Sequence, residues 1–340
     1  VSHSVVEDAM TTAAEFITGD AMEQSALAAR ASIMAHELRT VVAIPLRARS
    51  SAGAPNDADV VGVLYLDSRL ASRNLTGIGP EVLRALAGEC AAVLESARLM
   101  EAEQAARYYR QELDIAANIQ RSLICESEVT SDFVRVTGRS IPCKDVGGDF
   151  YDVHVTPDKV TAIVADVSGK GISAALLASV IHGMFIAQIS AGTGLVDCVT
   201  AINTFLCSRV AGQKYATVMA IQVRKDGTLE MVNCGHVPAL LAADGKISVL
   251  SDGNLPLGLM ADATFESIEC QFPAHARLCM LTDGISETEN AQDYEFGLDG
   301  VAQHLHSPEP ISEILNAVQS FAEGREAQDD RTLVLMERTA

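Results

Sequence analysis

From residue 125 to its end, the sequence predicts an α+β domain in which two antiparallel sheets pack together and helices cover them. Ten short apolar runs bounded by turn residues indicate strands, and four segments with apolar residues at helical spacing indicate helices. Many antiparallel strands with helices inserted in pairs suit two stacked sheets, so we expect an α/β sandwich. The strands are predicted at residues 134–141, 150–155, 159–165, 216–224, 228–233, 239–242, 247–250, 265–271, 278–281 and 332–337, and the helices at 173–189, 195–210, 298–304 and 310–322.

The composition limits the kind of protein this can be. The 340 residues can form two or three domains, and 48% of them are hydrophobic, which is enough for a sizeable core. The net charge of −20 argues against nucleic acid or an anionic membrane surface as the main partner. The eight cysteines form no CxxC pair, which is typical of free thiols in a reducing compartment. With no basic leader and no apolar stretch near the roughly 20 residues of a membrane span, we expect a cytoplasmic protein without a membrane partner.

Residues 1–80 have the pattern of a small α/β module. Helices are predicted at 4–17 and 26–36 and strands at 40–47 and 60–67, with a polar hairpin loop at 50–59. The runs VVAIPLRAR and VVGVLYLDSR, followed by a helix that ends ALAGECAAVLESARL, resemble the C-terminal two thirds of a GAF domain. The resemblance implies a partial GAF-like sensor domain, although a scaffold that merely dimerises fits the same residues equally well.

The segment from 81 to 124 is predicted to be one long helical linker. Leu86, Val93 and Met100 recur every seven residues, which indicates a short heptad seam. Charged and polar residues dominate over 101–112, and apolar residues return at 113–123. The pattern favours a homodimer stalk or a two-part signalling connector, and a helix packed on its own domain is the alternative.

Four aspartates follow or precede predicted strands of the domain at 125–340, each beside a glycine or a second acid: Asp149, Asp166, Asp283 and Asp329. No Cys/His cluster has zinc-like spacing, so hard oxygen ligands dominate and favour Mg²⁺ or Mn²⁺. Four carboxylates brought together would repel one another unless cations neutralised them, and two divalent ions would do so. Each Asp-Gly pair could also be an ordinary turn, Asp152 a strand-end cap and Asp330 a solvated neighbour, so convergence stays open at this point.

An ordered set of motifs carries a second resemblance. The runs IPCKDVGGDFYD, VADVSGKGISAALLAS, YATVMAIQV, NCGHVPALL, LPLGL, LTDGISE and DDRTLVLM resemble the SpoIIE/RsbU-type serine phosphatases of the metal-dependent protein phosphatase 2C superfamily. The resemblance implies a four-layer αββα sandwich of two antiparallel sheets flanked by helices over 125–340. It also implies hydrolysis of a phosphoserine or phosphothreonine on a partner protein by a metal-activated water, the partner being an anti-sigma-factor antagonist of the STAS type.

The resemblance assigns roles to particular positions. It implies that Asp166 bridges two metal ions, with the Val167 carbonyl completing one coordination shell. It implies that Asp149 serves one metal directly or through water, and that Asp283 and Asp329 hold the second. Close backbone approach at these ligands is implied at Gly148, Gly169 and Gly284.

One departure concerns the proton donor. Eukaryotic-type members of the superfamily have a histidine where this sequence has Ser168, so the general acid is unassigned. Lys170 could contact phosphate or be a solvated turn residue, and His236 and His182 are interpreted as structural. Two other functions fit the acids: a catalytically weak partner-binding module with a phosphatase fold, and a metal-dependent nucleotide or phosphodiester hydrolase.

Overall fold

The computed structural model of the chain describes residues 2–18, 40–48, 60–69, 79–123, 128–210 and 214–339. It divides into two compact units, Val1–Arg110 and Gln111–Ala340. The predicted helix at 26–36 and the hairpin loop at 50–59 lie outside the described residues.

The first unit contains a three-stranded antiparallel sheet in the order β1-β2-β3. Strands β2 and β3 confirm the two predicted strands almost to the residue. Strand β2 is covered on both faces, by α1 (His3–Thr12) and by the start of the long helix α2 (Pro80–Leu123). The prediction of a helix over 4–17 was wrong at its C-terminal end, where Ala13 adopts a left-handed conformation and the next apolar residues pair with β2. Aromatic and β-branched side chains favour this strand pairing. The elements are α1 (His3–Thr12), β1 (Phe16–Thr18), β2 (Thr40–Arg47) and β3 (Val60–Ser68).

Helix α2 runs from Pro80 to Leu123, so the prediction of one long helix is confirmed. Its first turns bury Leu83, Ala87 and Ala91 against β2. The three heptad residues lie on other faces and are 49%, 67% and 70% exposed at Leu86, Val93 and Met100. The seam is therefore an apolar stripe that the first unit does not cover.

The second unit is built on two antiparallel sheets, one of six strands in the order β11-β10-β13-β14-β5-β4 and one of five in the order β12-β9-β8-β7-β6. The predicted strands are all present, although the one at 265–271 begins only at residue 268. The strands are β4 (Glu128–Thr130), β5 (Val134–Ile141), β6 (Phe150–Val155), β7 (Lys159–Val167), β8 (Ala216–Arg224), β9 (Thr228–Cys234), β10 (Ala239–Ala243), β11 (Lys246–Leu250), β12 (Ile268–Gln271), β13 (Arg277–Leu281) and β14 (Arg331–Arg338).

Helices cover both outer faces, which confirms the predicted αββα sandwich. Alternate residues of β7 show the layering, because Ile163 and Ala165 pack under α3 and α4 whereas Val164 packs against the other sheet. Helices α6 and α7 cover the six-stranded sheet through Val301 and Ile314. The helices are α3 (Ile172–Ser190), α4 (Leu195–Arg209), α5 (Asp283–Ser286), α6 (Gly297–Ala302) and α7 (Pro310–Phe321).

Helix α3 corrects the expectation that no apolar stretch of the sequence approaches the length of a membrane span. Its 19 residues are long and apolar enough to cross a bilayer, and it is the single such helix among the described residues. Ile181, Phe185 and Ile189 of this helix are buried in the layer between α3 and the five-stranded sheet. A central helix of a globular domain has this composition because the fold covers its inward face.

Candidate metal centre

Two of the four predicted acids lie at adjacent strand ends of the five-stranded sheet. Strands β6 and β7 pair antiparallel, and Phe150 lies opposite Ala165. Asp149 directly precedes Phe150 and Asp166 directly follows Ala165, so the two acids lie at the same end of this strand pair. The backbone beside them is tight, because a Cβ added to Gly148 would lie 2.8 Å from the Val167 carbonyl oxygen. Glycine at 148 therefore lets this loop lie against the end of β7.

The other two acids come from the six-stranded sheet. Asp283 begins α5 directly after β13, and Asp329 precedes β14, the antiparallel neighbour of β13. A Cβ added to Gly284 would lie 2.0 Å from the Asp330 carbonyl oxygen. No side chain fits there, so glycine is required for α5 to pack against the segment that carries Asp329.

The pKa values show that these acids share one electrostatic environment. Burial, followed by the charge of Asp166, holds the pKa of Asp149 well above its ordinary value. Burial and the charges of Asp283 and Asp329 raise the pKa of Asp166 to about 7. Burial and the charge of Asp329 also raise the pKa of Asp283. The sandwich thus brings together acids from both sheets, and their individual roles as metal ligands remain predictions.

Thr282, which sequence reasoning missed, connects the two sheets at this point. The buried Thr282 hydroxyl donates a hydrogen bond to Asp149 Oδ2 at 2.7 Å and accepts one from the Thr332 amide at 3.0 Å. The donated bond fixes the orientation of the Asp149 carboxylate and lowers the pKa that burial raises.

Asp330 is not the solvated neighbour that was considered from the sequence. It is buried, and its carboxylate accepts backbone hydrogen bonds from Cys143 at 2.8 Å, Gly148 at 2.7 Å and Asp149 at 3.4 Å. These bonds hold the loop between β5 and β6. The position of Asp330 directly before the apolar run at 332–337 is the signal in the sequence that could have drawn attention to it.

Asp152 and His182 form a second buried polar contact. Asp152 lies within β6 and accepts a hydrogen bond from the Val153 amide at 2.6 Å. Its other oxygen bonds to Nε2 of His182 on α3, and both side chains are buried. This pair joins the helix to the strand that follows Asp149.

The remaining polar candidates are engaged by neighbouring groups. Lys170 forms a 2.9 Å ion pair with Asp329 and donates to the Gln328 carbonyl. The Ser168 hydroxyl accepts a hydrogen bond from the Tyr215 amide at 3.0 Å. Burial lowers the pKa of His236 to about 4, so the imidazole is neutral at pH 7 and is not a reservoir for a catalytic proton.

The donor set suits a hard divalent cation. The carboxyl groups of Asp149, Asp166 and Asp283 resist ionisation because of burial and neighbouring acids, and a bound cation would favour their ionised forms. Among the described residues, ligand atoms of Cys143, Asp329 and Asp330 also lie within 4.8 Å of one another. Burial and the neighbouring Asp330 raise the pKa of the Cys143 thiol to about 11. Hard divalent cations prefer oxygen donors, so the carboxylates are the expected ligands.

Most of the second unit matches a known protein family. The family model described as stage II sporulation protein E (SpoIIE) matches residues 156–339, which is more than half of the chain. Asp166, Asp283 and Asp329 lie within the matched segment, and Asp149 lies just before it.

Two curated relatives come from Bacillus subtilis (strain 168). Phosphoserine phosphatase RsbP is 27% identical over 237 residues, which cover 67% of this chain and 58% of RsbP. Phosphoserine phosphatase RsbU is 23% identical over 236 residues, covering 67% of this chain and 70% of RsbU. The chain therefore matches less than two thirds of the length of RsbP.

Solved structures show the same fold at low sequence identity. The SiaA-PP2C domain of Pseudomonas aeruginosa matches with a TM-score of 0.60 at 18% identity, covering 69% of this chain and 99% of that domain. The PP2C phosphatase domain of SpoIIE from Bacillus subtilis, with a fragment of its regulatory domain, matches with a TM-score of 0.55 at 20% identity, covering 62% of this chain and 64% of that one. This chain belongs to the SpoIIE family, and its second unit has the PP2C-type phosphatase fold.

Proposed function

We propose that this chain is a metal-dependent protein serine/threonine phosphatase that hydrolyses a phosphoserine or phosphothreonine on a partner protein. The observation that carries the proposal is the group of acids supplied by both sheets, in which burial, followed by the charges of Asp283 and Asp329, raises the pKa of Asp166 to about 7. Such a group stores negative charge that a divalent cation would neutralise. The relatives RsbP and RsbU, both named phosphoserine phosphatases, support the same reaction class.

The proposed metal site takes two Mn²⁺ or Mg²⁺ ions. Its ligands are Asp149, Asp166, Asp283 and Asp329, with the Val167 carbonyl as a further oxygen donor. When bound, such ions activate a water for attack on phosphorus and stabilise the charge that develops there.

The chain's own residues arrange the site for this chemistry. Thr282 orients the Asp149 carboxylate by its 2.7 Å hydrogen bond, and Asp330 holds the loop that leads into Asp149. Lys170, whose ammonium lies 2.9 Å from Asp329, places a cation at the rim where a phosphoryl group would approach. The raised pKa of Cys143, about 11, keeps that thiol protonated and makes it a poor nucleophile, so a route through a cysteinyl phosphate is not favoured.

The proposed substrate is a phosphorylated anti-sigma-factor antagonist of the STAS type. The motif resemblance to SpoIIE/RsbU-type phosphatases supports it, together with the family match over residues 156–339. The net charge of −20 is compatible with a protein substrate and disfavours nucleic acid as the partner.

The proposed regulation involves the residues before the phosphatase domain. Domain limits at 1–80, 81–124 and 125–340 separate a GAF-like sensor, a helical linker and the catalytic domain. Leu86, Val93 and Met100, exposed by 49–70%, support homodimer formation along the linker. The free cysteines support a cytoplasmic location.

The test compares wild type with Asp166→Asn in hydrolysis of a phosphoprotein and of an aryl phosphate, with and without Mn²⁺. We expect Mn²⁺-dependent hydrolysis by wild type and a loss of at least about 100-fold in the variant, the size seen when one charge-stabilising group is removed from an active site. Asp252→Asn, which changes an exposed aspartate in a loop, is the matched control and should retain full activity.

Equal rates for wild type and Asp166→Asn would contradict the proposal and favour a catalytically weak module that only binds its partner. A preference for phosphodiesters over monoesters in the same assay would favour the nucleotide or phosphodiester hydrolase instead.

A further inference from the structure

A cavity opens beside two of the proposed metal ligands. It has a volume of about 330 Å³ and is lined by residues of α5, of the segment that follows α5, and of the segment before β14 together with the first residue of β14. Among them are Asp283, Asp329, Thr288, Arg325 and Arg331. Because liquid water occupies about 30 Å³ per molecule, the cavity has room for roughly ten waters. This is more space than a phosphoryl group needs, so a neighbouring side chain of the substrate also fits.

Arg331 lines this cavity with a half-buried guanidinium that lacks a counterion. Its hydrogen bonds go to neutral acceptors, the Gly284 carbonyl at 3.4 Å and the Thr288 hydroxyl at 3.3 Å, and both are long. Among the described residues, no carboxylate oxygen lies within 4.0 Å of its nitrogens, although several acids line the same cavity.

The second arginine of the cavity is already paired. Arg325 forms ion pairs with Glu289 at 3.3 Å and with Asp293 at 2.9 Å. Its charge is therefore satisfied within the protein, and it also offsets that of Glu289. Among the described residues that line the cavity, Arg331 is therefore the cation without a carboxylate partner, and it can accept an anionic ligand.

We propose that Arg331 determines substrate specificity by binding an acidic side chain that lies close in sequence to the phosphorylated residue. The phosphoryl group itself is expected at the metal ligands, and the guanidinium lies beyond 4.0 Å from the carboxylates of Asp283 and Asp329. The guanidinium is therefore placed to bind a second anionic group of the substrate, beside the phosphoryl group. Guanidinium binds carboxylate through paired N–H donors, and Nη1 has no acceptor among the described residues. The inference rests on the proposed phosphatase function.

The main alternative is that the cavity prefers a positively charged side chain of the substrate. Glu287 and Glu326 also line the cavity and are exposed, and neighbouring acids contribute to a raised pKa of Glu287 after burial. These carboxylates would favour a lysine or arginine of the substrate in the same space. The two possibilities differ in sign, so one set of peptides separates them.

The experiment uses the full chain with Mn²⁺ and phosphoserine peptides that carry Glu, Gln or Lys at each of the two positions on either side of the phosphoserine. For wild type we expect kcat/KM to be about tenfold higher with Glu than with Gln at one position, because a hydrogen-bonded charge is worth about 1.5 kcal/mol or more. In Arg331→Gln this ratio should fall to about one, and Arg331→Lys should retain part of it. Arg325→Gln is the matched control and should keep the wild-type ratio.

Several outcomes would overturn the assignment: no Glu preference in wild type, a preference for Lys, or an unchanged ratio in Arg331→Gln. If Arg331→Gln lowers hydrolysis of an aryl phosphate as much as that of the Glu peptide, the guanidinium acts on the phosphoryl group and the assignment is also wrong. Fluorescence anisotropy of the labelled peptides measures the same Glu-to-Gln ratio without turnover. Absence of hydrolysis contradicts the phosphatase function, whereas loss of the binding ratio contradicts the role of Arg331.

Discussion

In the metal-free protein, replacing Asp166 by Asn should increase stability at neutral pH. The pKa of Asp166 is raised from 3.8 to about 7 by burial and then by the charges of Asp283 and Asp329. Each unit between these two values corresponds to about 1.4 kcal/mol, so the folded state loses up to about 4 kcal/mol when this carboxyl must ionise. Asparagine has nearly the same shape and carries no charge, so the variant avoids this loss.

The sign of the pH dependence follows from proton binding. Between pH 3.8 and about 7 the carboxyl of Asp166 is ionised in the unfolded chain and protonated in the folded protein. Since the unfolded state binds fewer protons there, stability falls as pH rises through this window. Wild type and variant should therefore have similar stability at pH 4 and differ by up to about 4 kcal/mol at pH 8. The lowered pKa of His236 acts in the opposite direction but cancels, because both proteins contain it.

The measurement is urea denaturation of both proteins at several pH values, in a chelator and again in excess Mn²⁺. An ion that binds only the folded state at 100 times its dissociation constant stabilises it by about 2.7 kcal/mol, and wild type should gain more of this than the variant. The stability difference between the two proteins at pH 8 should then narrow, by up to about 2.7 kcal/mol, when Mn²⁺ is added. If Asp166→Asn is no more stable than wild type at pH 8 in chelator, the electrostatic reasoning for the site is refuted, and Asp252→Asn should show neither effect.

Three other predictions concern single contacts. Asp330→Ala removes the acceptor of two backbone N–H bonds at 2.7 and 2.8 Å and should lower the free energy of unfolding by about 3 kcal/mol. Asp330→Asn keeps an oxygen and should lower it less. A loss below about 1 kcal/mol for Asp330→Ala in urea denaturation would contradict this. His182→Leu leaves the Asp152 carboxylate buried without its imidazole partner and should lower the free energy of unfolding by about 3 kcal/mol or more. The double variant with Asp152→Leu should recover part of this loss. Additive losses in thermal denaturation would argue against a coupled pair. Asn at Leu86 and Val93 should weaken the proposed dimer in light scattering, and a wild type that is monomeric at all concentrations would reject the linker seam.

Much of the second unit could be predicted because its strands are short apolar runs with clear turn residues between them. The limits of β5, β6 and β8 agree with the predictions to the residue. Helix α5 was missed because four residues are too few for a helical period to be read. Strand β1 was missed because its pairing partner is about 25 residues away, and a local pattern does not show that pairing.

The acids themselves were visible as charged residues at strand ends, whereas the groups that orient them were not. The sequence separation between Thr282 and Asp149 is 133 residues, so their hydrogen bond exists only once the two sheets have packed. The lack of a counterion at Arg331 likewise depends on how α5 lies against β14. Tertiary packing alone creates contacts of this kind, so local sequence propensity does not predict them.

The hydrogen bond between Thr282 and Asp149 makes the geometry of the site depend on how the two sheets are aligned. Its donor follows a strand of one sheet, its acceptor precedes a strand of the other, and the two sheets are held in register by inter-sheet packing around Met219 and Met336. A core substitution that shifts one sheet by a few tenths of an ångström would stretch this bond and turn the carboxylate, while most of the core remained packed. Under mild denaturant, such variants should lose hydrolysis before circular dichroism detects unfolding.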